Sequence, residues 1–263
     1  MNDRFTLAGR VVLVTGAGQG VGLRSAEILA EHGARGVVVN DYHLGRAEAA
    51  AAKIESMGVP ALAVQADVGS PAEVAAMFGA ARAKFGRVDV LINNAGNAGP
   101  VEDTAAHMKQ FWETTPDEWQ VWLHTNLHGV MVCTHAALPG MIEHGYGRIV
   151  TVISDAGRFG EPHLAVYSAA KGGAASFMRA IAKAGARFGI AANCLSLGAM
   201  STPALETRLS DPERRKKVLS HYLIRRLGTP DDAASAILYL ASDAASWVTG
   251  QTIPVNGGYA FSM

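Results

Sequence analysis

The sequence predicts an α/β fold: one domain built on a doubly wound sheet of about seven parallel strands, with helices on both faces. Three observations carry this. Short apolar runs rich in valine, isoleucine and leucine alternate with alanine-rich stretches of helical spacing along the chain. A glycine cluster, Gly16 to Gly22, separates the first apolar run from the first helical stretch. No Ser/Pro/Gly-rich linker, internal repeat or low-complexity block interrupts the pattern over 263 residues, a length that one large α/β domain accommodates.

Strands are expected at 10–15, 36–40, 61–65, 88–92, 148–153, 190–195 and 252–255. Helices are expected at 21–32, 45–57, 71–85, 116–144, 165–188 and 231–241, each long enough for the right-handed crossover between parallel strands. The run Ala47 to Ala52 is a helix face, because alanine is the best helix former. Two segments break the rhythm. Residues 97–115 form a long loop containing Phe111 and Trp112, and residues 197–226 mix Pro203 and Pro212 with a charged helical stretch at 213–218. Both begin at carboxyl ends of strands, where open parallel sheets bind ligands, so they are expected as a substrate-side loop and a substrate lid.

Lys+Arg and Asp+Glu both total 23, which leaves no positive surplus to hold a nucleic acid and no acidic bias of a disordered tail. Hydrophobic residues make up 49% and charged residues 17%, a balance that predicts extensive burial and a homo-oligomer. Cys133 and Cys194 match neither a metal-ligand spacing nor a redox pair and read as buried free thiols. Nine histidines without ligand-like spacing predict no metal site. No signal-peptide core opens the chain, and no apolar run reaches the ~18 residues needed to span a bilayer, so no membrane association and a cytoplasmic location are expected.

The glycine cluster reads Thr15-Gly16-Ala17-Gly18-Gln19-Gly20-Val21-Gly22. Its glycines let the backbone approach a pyrophosphate, towards which the following helix directs unpaired N–H groups. With a strand before and a helix after, this is a Rossmann-type dinucleotide site. Asp41 ends the second strand about 20 residues beyond the last glycine, where a carboxylate accepts hydrogen bonds from the adenosine ribose and repels a 2′-phosphate. With Gln19 in place of a basic residue, this favours NAD over NADP; the bland reading of Asp41 is a turn or helix-cap residue. Asp67 and Val68 follow the third strand and read as adenine contacts, or Asp67 as the cap of the next helix. Asn93, Asn94, Ala95 and Gly96 end the fourth strand, either beside the cofactor or as an ordinary turn.

Tyr167 and Lys171 are four residues apart on one helix face, so an ammonium can favour the phenolate and bring a phenol towards working pH. By itself this spacing is common. Ser154, at the fifth strand's end, lies 13 residues before Tyr167, and Asn126 stands in the preceding helix, placed to hold a water near Lys171.

Together these motifs, in this order and with Thr249-Gly250-Gln251 and Gly257-Gly258 near the end, resemble the classical short-chain dehydrogenases/reductases over nearly the whole chain. The resemblance implies a catalytic tetrad of Asn126, Ser154, Tyr167 and Lys171, with Tyr167 as proton donor or acceptor and Lys171 also on the nicotinamide ribose. It implies that Asn94 supports the central sheet, that Gly198, Met200 and Thr202 contact the cofactor, and that the chain forms a homotetramer or homodimer. The sequence departs from the family pattern twice. Leu197-Gly198 replaces a Pro-Gly pair, which predicts a less rigid backbone there. Asp155 replaces a small or apolar residue and faces either substrate or a nearby backbone amide.

The implied activity is interconversion of a secondary alcohol and a ketone with NAD(H). Phe111, Trp112, Met200, Leu205 and Leu209 suggest an apolar lining for a cyclic, steroid-like or acyl substrate, although Phe111 and Trp112 can equally pack against Trp119 and Trp122. His107, His163 and His221 are further candidates for substrate contact. The run Arg214-Arg215-Lys216-Lys217 is a solvated helix face or an attractor for the phosphates of a carrier-linked thioester, the second enzymatic reading. A third reading, a dinucleotide-sensing regulator without catalysis, has no need of an intact Asn126, Ser154, Tyr167 and Lys171 set.

Overall fold

The computed structural model describes residues 3–7, 9–96 and 109–261. Seven strands form one parallel sheet in the order β3-β2-β1-β4-β5-β6-β7: β1 Val11–Val14, β2 Gly36–Asp41, β3 Ala61–Gln65, β4 Val90–Asn93, β5 Gly147–Ser154, β6 Ile190–Leu197 and β7 Thr252–Val255. The order in which successive strands are added reverses between β1 and β4, which opens a crevice at their carboxyl ends. Residues 97–108, with His107 and most of the expected substrate-side loop, lie outside the described residues.

The alternation along each strand sorts the core into two layers. Val12, Val14, Val37 and Val39 face one layer with the alanine faces of α1 (Gly20–Glu31) and α2 (Leu44–Ser56). Val11, Leu13, Val38 and Leu91 face the other with α3 (Pro71–Phe85), whose cap Ser70 accepts a hydrogen bond from the Glu73 N–H. Strand β6 runs two residues beyond the expected end because Leu197, unlike a proline, continues the ladder, in register with Ser154 and Val255.

The expected helix at 116–144 is three pieces. Helix α4 (Pro116–Leu123) passes through a wide π-type turn, His124–His128, into α5 (Gly129–His144). Gly129 lets α5 approach closely, since a Cβ there would lie 2.6 Å from Val68 Cγ2. After β5 come the short α6 (Ala156–Phe159) and then α7 (Ala165–Gly185), which a single 3₁₀ turn continues to Phe188. The segment expected as a lid holds α8 (Pro203–Arg208) and α9 (Pro212–Leu219), the latter covering the expected charged stretch; α10 (Pro230–Ala241) completes the first layer. Among the described residues no helix is long and apolar enough to cross a membrane.

One buried carboxylate registers β4 against β1. Asp89 accepts the Val11 N–H at 2.8 Å and pairs with Arg87 Nε at 2.9 Å. Asp89→Ala leaves that buried N–H without a partner and should lower unfolding free energy by about 1–3 kcal/mol in urea titrations; an unchanged midpoint would remove Asp89 from the register.

Candidate active site

The glycine turn after β1 is built for close backbone approach. Gly16 and Gly20 hold φ of +60° and +59°, a region that strains any side chain. A Cβ on Gly18 would lie 2.6 Å from Asp41 Oδ2, and one on Gly22 would collide with the Gly16 carbonyl and the Asn94 amide. Gln19 caps α1 without a side-chain hydrogen bond, and the first turn carries no acidic residue. The first N–H groups of α1, Val21 among them, are thus left for an anion, and the cradle fits the pyrophosphate of a dinucleotide.

Asp41 is 6% exposed, and its carboxylate accepts the Gly18 N–H at 3.1 Å and the His43 N–H at 3.0 Å. It therefore sits against the glycine turn at the end of β2, where the sequence places a ribose partner. Across the crevice, Asn94 Nδ2 donates to the carbonyls of Thr15 (2.9 Å) and Gly16 (3.0 Å), while Thr15 Oγ1 accepts the N–H groups of Asn94 and Ala95, each at 3.0 Å. Asp67 accepts the Gly69 N–H at 2.9 Å and lies 3.1 Å from His124 Nε2. Sequence reasoning missed His124, which stands 57 residues from Asp67 and meets it only because the ring fills the space beside Gly69.

The structure brings Asn126, Ser154, Tyr167 and Lys171 together at the carboxyl edge. Ser154 ends β5, and its Oγ accepts the Ala156 N–H at 3.2 Å. Tyr167, in the first turn of α7, lies near enough to Ser154 for that hydroxyl to draw its phenol downward, and it meets the Trp122 ring edge-on, with centroids 5.7 Å apart. One turn on, Lys171 Nζ donates to the Val152 carbonyl at 3.0 Å and lies 5.9 Å from the Tyr167 ring centroid. Asn126 is fully buried in the π-type turn, with Nδ2 donating to the Trp122 carbonyl at 3.0 Å. A Cβ on Gly96 would stand 3.3 Å from both Asn126 Oδ1 and Lys171 Nζ, so these two polar groups border one small space.

Burial governs the charges here. It pushes the Tyr167 phenol above its ordinary value, opposed only by the nearby Ser154 hydroxyl, and it lowers Lys171 from 10.5 to about 8. The expected downward pull of the ammonium on the phenol is not what this arrangement favours, because Nζ is committed to Val152 O and stands over the ring.

The two departures from the family pattern meet each other. Asp155 bonds neither substrate-side groups nor a backbone amide through its carboxylate: Oδ1 accepts from Ser196 Oγ (2.7 Å) and Arg158 Nη1 (2.9 Å), and Oδ2 accepts from Asn256 Nδ2 (2.7 Å). Its own N–H donates to the Leu197 carbonyl at 3.0 Å. The backbone after Leu197 is correspondingly well held. Gly198 N–H donates to Val255 O, Ala199 N–H to the Tyr222 hydroxyl at 3.1 Å, Met200 bridges to Gly228, and Thr202 caps α8 through Leu205 N–H. Tyr222 was not singled out by the sequence, where it is one more aromatic in an irregular segment.

Phe111 stacks on Trp119 with centroids 5.2 Å apart, the packing role, whereas Trp112 is 79% exposed. Leu209 is buried, Leu205 is half-buried, and His163 and His221 are exposed. Arg215 pairs with Glu206 at 2.6 Å, leaving Arg214, Lys216 and Lys217 on the exposed side of α9. Cys133 and Cys194 are free and buried, with both thiols pushed up to about 12 by burial. Among the described residues no three His, Cys, Asp or Glu side chains gather as metal ligands do.

A family model described as enoyl-(acyl carrier protein) reductase matches residues 16–260. The chain is 37% identical to a 3-oxoacyl-[acyl-carrier-protein] reductase of Synechocystis over 96% of this chain and 97% of that protein. Among solved structures, it superposes with a TM-score of 0.90 and 32% identity on a gluconate 5-dehydrogenase from Burkholderia cenocepacia in complex with NADP and tartrate, covering 99% of both chains. A 7α-hydroxysteroid dehydrogenase complexed with NADH and 7-oxo glycochenodeoxycholic acid gives a TM-score of 0.89 at 34% identity, covering 98% of this chain and 97% of the other.

Burial of Lys171 makes stability depend on pH with a definite sign. Between about 8 and 10.5 the unfolded chain keeps a proton that the folded chain has released, so this residue's contribution rises with pH across that window and is flat below it. The stability of wild type minus that of Lys171→Met, from urea titrations, should become more favourable by about 2 kcal/mol between pH 7 and pH 10. An unchanged difference would mean that Lys171 titrates normally.

Proposed function

The chain belongs to the short-chain dehydrogenase/reductase family, and we propose that it interconverts a secondary alcohol and a ketone with NAD(H), using Tyr167 as acid and base. The observation that carries this reading is the convergence of Ser154, at the end of β5, and Tyr167, in the first turn of α7, with Lys171 buried one turn further on and bonded to the Val152 carbonyl. Gly16, Gly18, Gln19, Gly20, Val21 and Gly22 would hold the pyrophosphate, Asp41 the adenosine ribose, and Asp67 with Val68 the adenine. Asn94, Ala95 and Gly96 would run alongside, while Lys171, Gly198, Met200 and Thr202 would hold the nicotinamide end. The bound nicotinamide supplies the site that accepts or gives the hydride.

In alcohol oxidation the deprotonated Tyr167 oxygen takes the substrate hydroxyl proton, and the Ser154 hydroxyl donates to the oxygen as charge develops on it. In ketone reduction Tyr167 returns that proton. Lys171, as an ammonium, stabilises the phenolate once drawn towards it, and Asn126 Oδ1 beside Nζ holds a water that carries the proton outward. The exposed Trp112 and the half-buried Met200 and Leu205 favour an apolar cyclic, steroid-like or acyl substrate. Met131 and Ile142, exposed on α5, support self-association as a homotetramer or homodimer.

A 3-oxoacyl-thioester reductase is the second reading, favoured by the Synechocystis relative and by the exposed Arg214, Lys216 and Lys217 on α9. A panel of cyclic ketones against acetoacetyl-coenzyme A, each with NADH and NADPH, separates the two.

Tyr167→Phe should retain NAD binding in a fluorescence titration while kcat falls by roughly two to four orders of magnitude; turnover surviving near the wild-type rate would overturn the acid–base assignment. Asp41→Ala removes the charge that opposes a 2′-phosphate, so the kcat/KM ratio of NAD to NADP should fall by about tenfold or more. A ratio that does not move would place cofactor choice elsewhere.

A further inference from the structure

We propose that Asp155 is a positioning residue for Ser154: its carboxylate ties together the ends of β5, β6 and the segment after β7, and so sets where the serine stands relative to Tyr167. The inference rests on the reading of Ser154 and Tyr167 given above.

Asp155 is 4% exposed and follows Ser154 directly, yet its side chain turns away from the crevice to three donors. Ser196, wholly buried in β6, supplies a hydroxyl; Asn256, just after β7, supplies an amide; Arg158, one turn on, supplies a guanidinium that also reaches the Phe261 carbonyl at 3.0 Å. A buried carboxylate with these three partners tolerates little movement, because any shift strips a donor from a charge that water does not reach.

The node also fixes α6. Asp155 O accepts the N–H groups of Arg158 (2.9 Å) and Phe159 (3.0 Å), while Ser154 Oγ accepts Ala156 N–H. From there the chain seats on α7 at close range, since a Cβ on Gly157 would lie 2.7 Å from Lys171 Cβ and 2.8 Å from Gly172 N. Loss of the carboxylate frees the β5–α6 corner to shift against the helix that carries Tyr167 and Lys171.

The donors cannot simply rearrange. Asn256 Oδ1 accepts Gly258 N–H at 3.1 Å and its Nδ2 also donates to Ala260 O at 2.8 Å, which pins the amide in one orientation. Asp155→Asn therefore sets an NH₂ group against a donor. Exchanging the pair, Asp155→Asn with Asn256→Asp, restores a donor facing a carboxylate between the two side chains and keeps an acceptor for the Gly258 N–H, while the Ala260 carbonyl loses its donor, so the exchange tests the 155–256 contact alone.

The test is a cycle of D155N, N256D and the double exchange, assayed well below their melting temperatures with the substrate wild type turns over fastest. Expected is a fall in kcat of about tenfold or more for each single variant, KM for the dinucleotide within about twofold, and in the double exchange a partial recovery, about threefold or more above either single. S196A, which removes one donor without disturbing the charge, should lower kcat in the same direction and serves if a single variant does not fold. The proposal is overturned if melting temperatures drop while kcat holds, which is a purely structural role, or if the double exchange is no better than the singles. Ser154→Ala, measured in parallel, separates the layers: its full activity would overturn the reading of Ser154 itself, whereas its loss beside an unaffected D155N overturns only the part assigned to Asp155.

Discussion

The candidate site depends on one set of hydrogen bonds, those that stitch the glycine turn after β1 to the end of β4. In a parallel sheet whose direction of winding reverses between these strands, the two chain segments leave in opposite directions and would splay. Asn94 prevents this by donating to both carbonyls of the Thr15-Gly16 corner, and Thr15 answers with one hydroxyl oxygen that accepts two N–H groups. The crevice is thus held open at its floor while the N-terminus of α1 faces it uncapped. The candidate cofactor residues gather around this corner, including Asp41, whose carboxylate accepts the Gly18 N–H within the same turn.

At the chemical end the governing quantity is desolvation. Lys171 is buried and Tyr167 half-buried, and burial drives each towards its neutral form, the phenol upward and the amine downward. Neither shift alone favours proton abstraction. Together they widen the gap between the phenol and the amine one helical turn away, so only hydrogen bonds or charge gained beside the phenol draw it back down. Ser154 already acts in that direction on the phenol.

Features set by local pattern were legible in the sequence: the valine-rich strands, the alanine faces of α1 and α2, the glycine turn, and the Tyr167/Lys171 spacing. Features set by contact between distant segments were not. The π-type turn at 124–128 keeps helical composition, so periodicity alone reads α4 and α5 as one helix; the turn shows itself only by burying Asn126. His124 finds Asp67, and Tyr222 finds Ala199, through tertiary folding that leaves no mark in spacing. Phe111 was undecided between substrate and Trp119 because an aromatic in a loop has the same composition in either role, and the stacked geometry with Trp119 answers it.

The two departures from the family pattern, Leu197 and Asp155, looked independent in sequence and are one structural feature. A proline at the end of β6 would fix its own φ but offer no N–H, whereas Leu197 extends the strand and keeps Ser154 and Val255 on either side in register. Rigidity then has to come from hydrogen bonds. Asp155 provides them at this point, its N–H on the Leu197 carbonyl and its carboxylate on the hydroxyl of Ser196, the residue before. A restraint that one ring could supply covalently is supplied here by a buried ionic cluster reaching three segments, and the position of Ser154 follows from that cluster rather than from the local backbone.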